Sequence, residues 1–197
     1  MDLILLIVYF SILIWICLPI LFRSNRHFYF FLFLGLNDVI MMIIYSLFSI
    51  FPKELWIVSH SLMLLFFDRV YIRKYKKKLL VASVSIPFFA YFSNLFMQTA
   101  FVFFAHSIFL FLFSRLLILK YFKLHILNNF YMVLILYELI TIYKFIAFEF
   151  NLEYRTEIFY VGTLTQIIIG LYLIFIKINT LNIDKLSFLA KDNCMPK

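Results

Sequence analysis

Apolar residues run along this chain in seven long blocks, at about 3–22, 28–50, 55–72, 79–94, 95–117, 125–149 and 157–178, with short polar or basic stretches between them. A helix rises about 1.5 Å per residue, so roughly 20 apolar residues cross a hydrocarbon layer about 30 Å thick. The pattern predicts an all-α, polytopic membrane protein built as a bundle of about seven transmembrane helices. The fourth and fifth blocks are nearly continuous. Ser93 and Asn94, in "YFSNLF", supply the turn chemistry that divides them.

Composition sharpens this picture. The chain is 65% hydrophobic and 14% charged, and its mean hydropathy of +1.02 lies far above that of a soluble domain. Three Gly and four Pro leave almost no linker, and no stretch is polar enough to fold separately in water. The expected organisation is one transmembrane domain over 1–180 followed by a short polar cytoplasmic tail over 181–197. The N-terminal stretch "MDLILLIVYFSILIWICLPILF" lacks a basic leader and a small-residue cleavage site, so it reads as a retained helix. Cys17 lies in the first apolar block and Cys194 in the tail, which allows neither a disulfide framework nor a cysteine zinc site.

The net charge of +8 sits in short clusters between apolar blocks, not on a groove with stacking aromatics, so no nucleic-acid partner is expected. With the N-terminus outside, the inner segments carry Arg23, Arg26, Arg73, Lys74, Lys76, Lys77, Lys78, Arg115, Lys120, Lys123, Lys177, Lys185, Lys191 and Lys197. The outer loops hold only Lys53 and Arg155. This asymmetry predicts an N-out, C-in topology, most naturally in a bacterial cytoplasmic (inner) membrane. The cluster "RKYKKK", Arg73 to Lys78, acts as the topology signal between the third and fourth helices, with attraction to anionic membrane lipids. It is also the candidate docking point for an acidic cytosolic partner.

A few polar groups interrupt the apolar blocks. Asp38, His106, Glu138 and Gln166 each fall near the middle of a different block, while His60 and Lys144 fall nearer the outer side. Burying such groups in hydrocarbon costs several kcal/mol unless they are paired, hydrated or neutralised. Two carboxylates and a histidine in one low-dielectric space perturb one another's protonation, the condition for acid and base chemistry. Asp38, Glu138, His60 and His106 are therefore the candidate catalytic residues, and Asn37, Gln166 and Lys144 the candidates to hold a substrate. Structural roles stand beside these. Asp38 suits a hydrogen bond to a neighbouring helix and His106 a satisfied core site. Glu138 suits neutralisation by Lys144 or a bond to a tyrosine, although the two lie six apart and helical neighbours fall three or four apart. Lys144 can also snorkel outwards, and Asp68 and Arg69 read as interfacial.

Several chemistries are absent: there is no Gly-rich phosphate loop, His-Glu-x-x-His pair or Gly-x-Ser-x-Gly elbow. The last helix carries Lys177 at its inner end and no central lysine for a retinal Schiff base. The four histidines are too scattered to mark a metal site, and no cofactor is expected.

"NDVIMM" followed by "WIVSHSLMLLFF" resembles the lysoplasmalogenase family of multi-pass membrane hydrolases, in which an acid in a Gly-Asp-apolar motif precedes an aromatic helix bearing Ser/Ala-His. "LYELITIYKF" is similar to that family's second acidic motif, with Glu138, Lys144 and Phe145 in the motif places, and "YVGTLTQIIIG" to its last helix, with Gln166 after Tyr160. Asn37 stands where the family has Gly, Glu138 where it has Asp, and the upstream Lys-Pro motif has no counterpart. The resemblance implies hydrolysis of the vinyl-ether bond of lysoplasmalogens, with Asp38 and Glu138 handling protons and water at a site entered from the lipid, without metal or nucleotide.

Three classes of function follow. One is a membrane enzyme on a lipid-like substrate; another is a non-enzymatic signalling or scaffold subunit that binds a partner through its basic cytoplasmic face. The third is a small transporter or proton pathway, which the scarcity of Gly and Pro and the lack of an inverted repeat make harder to build.

Overall fold

The computed structural model describes residues 3–48, 54–67, 69–92 and 95–192. All seven elements are helices: α1 Leu3–Leu21, α2 Phe28–Phe48, α3 Glu54–Leu65, α4 Arg69–Phe92, α5 Leu95–Leu124, α6 Asn129–Glu149 and α7 Arg155–Asp192. Four of them contain stretches long and apolar enough to cross a membrane: Phe28–Phe48, Met97–Leu124, Asn129–Ala147 and Arg155–Ile178. The apolar parts of α1 and α3 are shorter.

The helix count agrees with the seven blocks, but several boundaries differ. The third block was expected to run to 72. Instead α3 stops at Leu65 after 12 residues, about 18 Å at the helical rise, and the chain turns through Phe66 and Phe67. Both are apolar, so hydropathy does not distinguish this turn from more helix. Arg69, expected at the end of the third helix, begins α4. The stretch "RKYKKK" is not a loop: it lies inside α4, which kinks at Tyr75 (φ −121°, ψ 25°). The fifth helix continues past 117 to Leu124, and the seventh past 178 to Asp192. The turn expected at Ser93 and Asn94 lies outside the described residues, as do Lys53, Asp68, Cys194 and Lys197.

Packing order defines the architecture. α1, α2, α3, α5, α6 and α7 each pack against the next, and α7 returns to α1, so six helices form a closed ring. α4 packs against α3 on the outside. The seam between α1 and α2 is close because Gly35 lacks a side chain: a Cβ there would lie 2.7 Å from the Trp15 carbonyl oxygen.

Local chemistry sets several helix ends. The Asn128 side chain accepts a hydrogen bond from the Tyr131 N–H (3.3 Å) and so caps α6. His125, after α5, and Asn151, after α6, both take left-handed backbone (φ 52°), the usual helix-stopping conformation. Aromatic side chains fill one end of the ring. Phe30 packs against Phe109 and Phe113, each 5.3 Å between ring centroids, and Phe67 lies 5.3 Å from Phe113. Arg23, Arg26, Lys120 and Lys123 belong to the same end, where α1 and α5 finish and α2 begins.

Candidate functional site

The site is built around α6, whose polar residues point to two neighbours. Glu138 turns towards α5, whereas Thr141 and Lys144 turn towards α7. Towards α5, Glu138 Oε2 lies 2.7 Å from His106 Nδ1. His106 Nε2 in turn lies 3.0 Å from His60 Nε2 on α3, and His60 Nδ1 lies 2.7 Å from the Trp56 carbonyl oxygen one turn back. All three side chains are buried, Glu138 completely.

Hydrogen-bond valence fixes most of the protons in this line. A carbonyl only accepts, so His60 Nδ1–H donates to Trp56. A neutral His60 then accepts at Nε2, so His106 Nε2–H must be the donor between the rings. That leaves two states for the last link. Either the neutral Glu138 carboxyl donates to His106 Nδ1, or an imidazolium Nδ1–H donates to the carboxylate. The two states differ by one proton moved along one hydrogen bond. Both carry no net charge, which removes the largest cost of burying them. Glu138 Oε1, fully buried, has no hydrogen-bond partner.

The line corrects three expectations. Glu138 is matched by His106, not by Lys144 or a tyrosine. His60, expected away from His106, meets it ring to ring because α3 packs against α5. Lys144 does not snorkel outwards: its Nζ donates inward to Thr163 Oγ1 (3.0 Å) and Gln166 Oε1 (2.9 Å) on α7, and lies 4.4 Å from the centroid of the Phe159 ring. Gln166 Nε2 donates back to Thr141 Oγ1 on α6 at 2.9 Å. The lysine stem fits because residue 162 is glycine; a Cβ there would lie 2.5 Å from Lys144 Cδ.

Asp38 occupies the opposite side of the ring on α2, half-buried, and accepts a long hydrogen bond of 3.4 Å from Asn37 Nδ2. It lies within electrostatic range of Lys144 and of Tyr137 on α6 without bonding directly to either. Tyr137 is within range of Glu138 as well, and its ring stacks obliquely on Trp15 of α1 at 4.6 Å.

No protein-family model matches this chain, nor does any curated protein or solved structure.

Of the residues singled out in the sequence, His60, His106 and Glu138 join directly, and Lys144 joins Gln166. Asp38 comes within electrostatic range of Lys144 from across the ring, and Asn37 bonds to Asp38. Sequence reasoning passed over Tyr137, Thr141 and Thr163. Their signal was spacing: Tyr137, Thr141 and Lys144 fall at i, i+4 and i+7, one polar stripe on an otherwise apolar helix. It also passed over His27, which is buried at the basic end between the Phe67 carbonyl (3.2 Å from Nδ1) and the Tyr131 hydroxyl (3.2 Å from Nε2). Arg73, Lys74, Lys76, Lys77 and Lys78 lie along the first half of α4, and Lys77 and Lys78 are exposed. Among the described residues no three His, Cys, Asp or Glu side chains gather as a metal site.

Proposed function

We propose that this chain is a membrane-embedded acid–base enzyme acting on a lipid-like substrate, inserted N-out and C-in in a bacterial cytoplasmic membrane. The observation that carries the reading is the hydrogen-bonded line from Glu138 through His106 to His60. A carboxyl that exchanges one proton with an imidazole, itself held by a second imidazole, is a device for taking and returning protons where water is scarce. Glu138 is the reacting group. His106 and His60 act through it, since both ring nitrogens of each are engaged. Asp38 supplies the second acid, and Asn37, Lys144 and Gln166 line the approach to it.

The resemblance to lysoplasmalogenases supports a vinyl-ether lysophospholipid as the substrate. Asp38 then transfers a proton to the vinyl carbon, water adds to the resulting oxocarbenium carbon, and the water's proton passes to Glu138. The hemiacetal collapses to an aldehyde and an alcohol, its O–H proton passing to the departing alkoxide oxygen, and the proton taken by Glu138 returns to Asp38 through water. The test is aldehyde release from a lysoplasmalogen by the purified protein in lipid nanodiscs. Glu138→Gln and Asp38→Asn should each lower turnover by roughly 100-fold or more, and turnover that survives both substitutions rejects the reading.

A second reading is a proton pathway, supported by the proton that Glu138 and His106 can exchange along one hydrogen bond. Proton flux across vesicles lost in His106→Phe, without any lipid turnover by the parent protein, would support it. The basic half of α4 supports a third role, docking of an acidic cytosolic partner, which is separable by neutralising Lys77 and Lys78.

A further inference from the structure

We infer that Glu138 Oε1 is the receiving point for one neutral O–H donor: a water in the resting protein, displaced by the hydroxyl of a bound lipid. The inference concerns the same site and rests on the reading of Glu138 as its proton-handling group.

The line of hydrogen bonds starts at the Trp56 carbonyl. Because that oxygen only accepts, His60 Nδ1 carries a hydrogen, and with His60 neutral the direction of every bond along His60 and His106 is set and the one mobile proton lies between His106 Nδ1 and Glu138 Oε2. In neither position does it reach Oε1. That oxygen is therefore a carbonyl oxygen in one state and a carboxylate oxygen in the other, and in both it is an acceptor without a hydrogen.

It is also fully enclosed and unpartnered. Buried acceptors of this kind are satisfied in nearly all proteins, by protein or by ordered water. Lys144, the charged donor on the same helix, faces α7 and donates to Thr163 and Gln166, whereas Glu138 faces α5. The charge of the donor follows as well. The line from Trp56 to Glu138 is neutral overall in both states, so a cation at Oε1 would bring an uncompensated buried charge, whereas water or an alcohol would not. Both ring nitrogens of each histidine are occupied, so a metal ion has no imidazole to bind.

Infrared difference spectroscopy of the full chain in nanodiscs of diacyl phosphatidylcholine, which has no hydroxyl of its own, tests this without any turnover. The band removed by Glu138→Gln is the Glu138 carboxyl or carboxylate stretch. We expect it at the frequency of a hydrogen-bonded group, together with a water O–D band that moves when D2O is replaced by its oxygen-18 form. Glu138→Leu, which removes the acceptor, should abolish that water band, and Glu138→Gln, which keeps an oxygen there, should retain it. Adding lysophosphatidylcholine with a free sn-2 hydroxyl should remove the water band and shift the Glu138 band, while its 2-O-methyl ether should do neither. A Glu138 band at the free-group frequency, insensitive to water isotope and to the lysolipid, overturns the inference. That result can be read from the parent protein and Glu138→Gln alone if Glu138→Leu does not fold. A water-filled Oε1 in a protein that turns over no lipid would reject the enzyme and leave the donor site standing.

Discussion

Glu138 and His106 share one hydrogen bond of 2.7 Å at the centre of the bundle, and the proton within it has two acceptable positions. This single relationship decides how substitutions at the site should behave. Gln at 138 keeps an N–H that donates to His106 Nδ1, reproducing the neutral state of the line. Glu138→Gln is therefore expected to change stability by less than about 1 kcal/mol. Glu138→Ala leaves His106 facing a hole and should cost roughly 3–5 kcal/mol. Equilibrium unfolding in detergent micelles measures both, and equal losses would show that the hydrogen bond is not what holds Glu138.

The two histidines should be energetically coupled. Replacing His60 by Leu takes the acceptor from His106 Nε2–H, and replacing His106 by Leu takes the donor from His60. Each single substitution strands a buried polar atom that the double substitution removes. A double-mutant cycle is expected to give a coupling of about 0.5–3 kcal/mol, with the pair costing less than the sum. Strict additivity would mean that the contact between the rings contributes nothing.

The coupling exposes what the sequence could and could not tell. The apolar blocks announced seven helices because hydropathy is a property of composition, and the polar residues at mid-block announced where chemistry would lie. How the helices rotate about their axes is not written in composition. Glu138 and Lys144 are both polar residues on α6, yet one meets α5 and the other α7. The six-residue spacing showed only that they do not share a face. The early end of α3 was hidden because Phe66 and Phe67 make an apolar turn, and the packing of α3 against α5 is what brings His60 to His106. His27 follows Arg26 between the first two apolar blocks. Only tertiary structure wraps it in Phe67, Phe113, Phe130 and Tyr131.

Two glycines should respond differently to the same methyl group. At Gly35 the added Cβ meets the Trp15 carbonyl oxygen, which is backbone and cannot move aside without separating α1 from α2. Gly35→Ala is expected to destabilise by roughly 1–3 kcal/mol in any background. At Gly162 the Cβ meets the Lys144 stem, which is flexible. Gly162→Ala should cost only about 1 kcal/mol, the worth of a hydrogen bond lost as Nζ is displaced from Thr163 or Gln166. That penalty should vanish when Lys144 is already Ala. A penalty at Gly162 that persists in Lys144→Ala would place the contact elsewhere.

Asp38 and Lys144 provide the last test, because they interact without touching. They sit on α2 and α6, which do not follow each other in the ring, and lie within electrostatic range. Lys144→Met removes the cation that offsets the Asp38 charge, and Asp38→Asn removes the charge itself. The aspartate substitution should therefore harm the protein less, or help it, once Lys144 is Met, with a coupling of roughly 0.5–3 kcal/mol. Salt separates this from a surface effect. Exposed charges more than about 8–10 Å apart are screened at physiological ionic strength, whereas a pair inside the ring is screened far less. The coupling should persist when ionic strength is raised. If it disappears, water and ions reach the space between the two residues, and the interior of the ring is an aqueous path instead of a dry site.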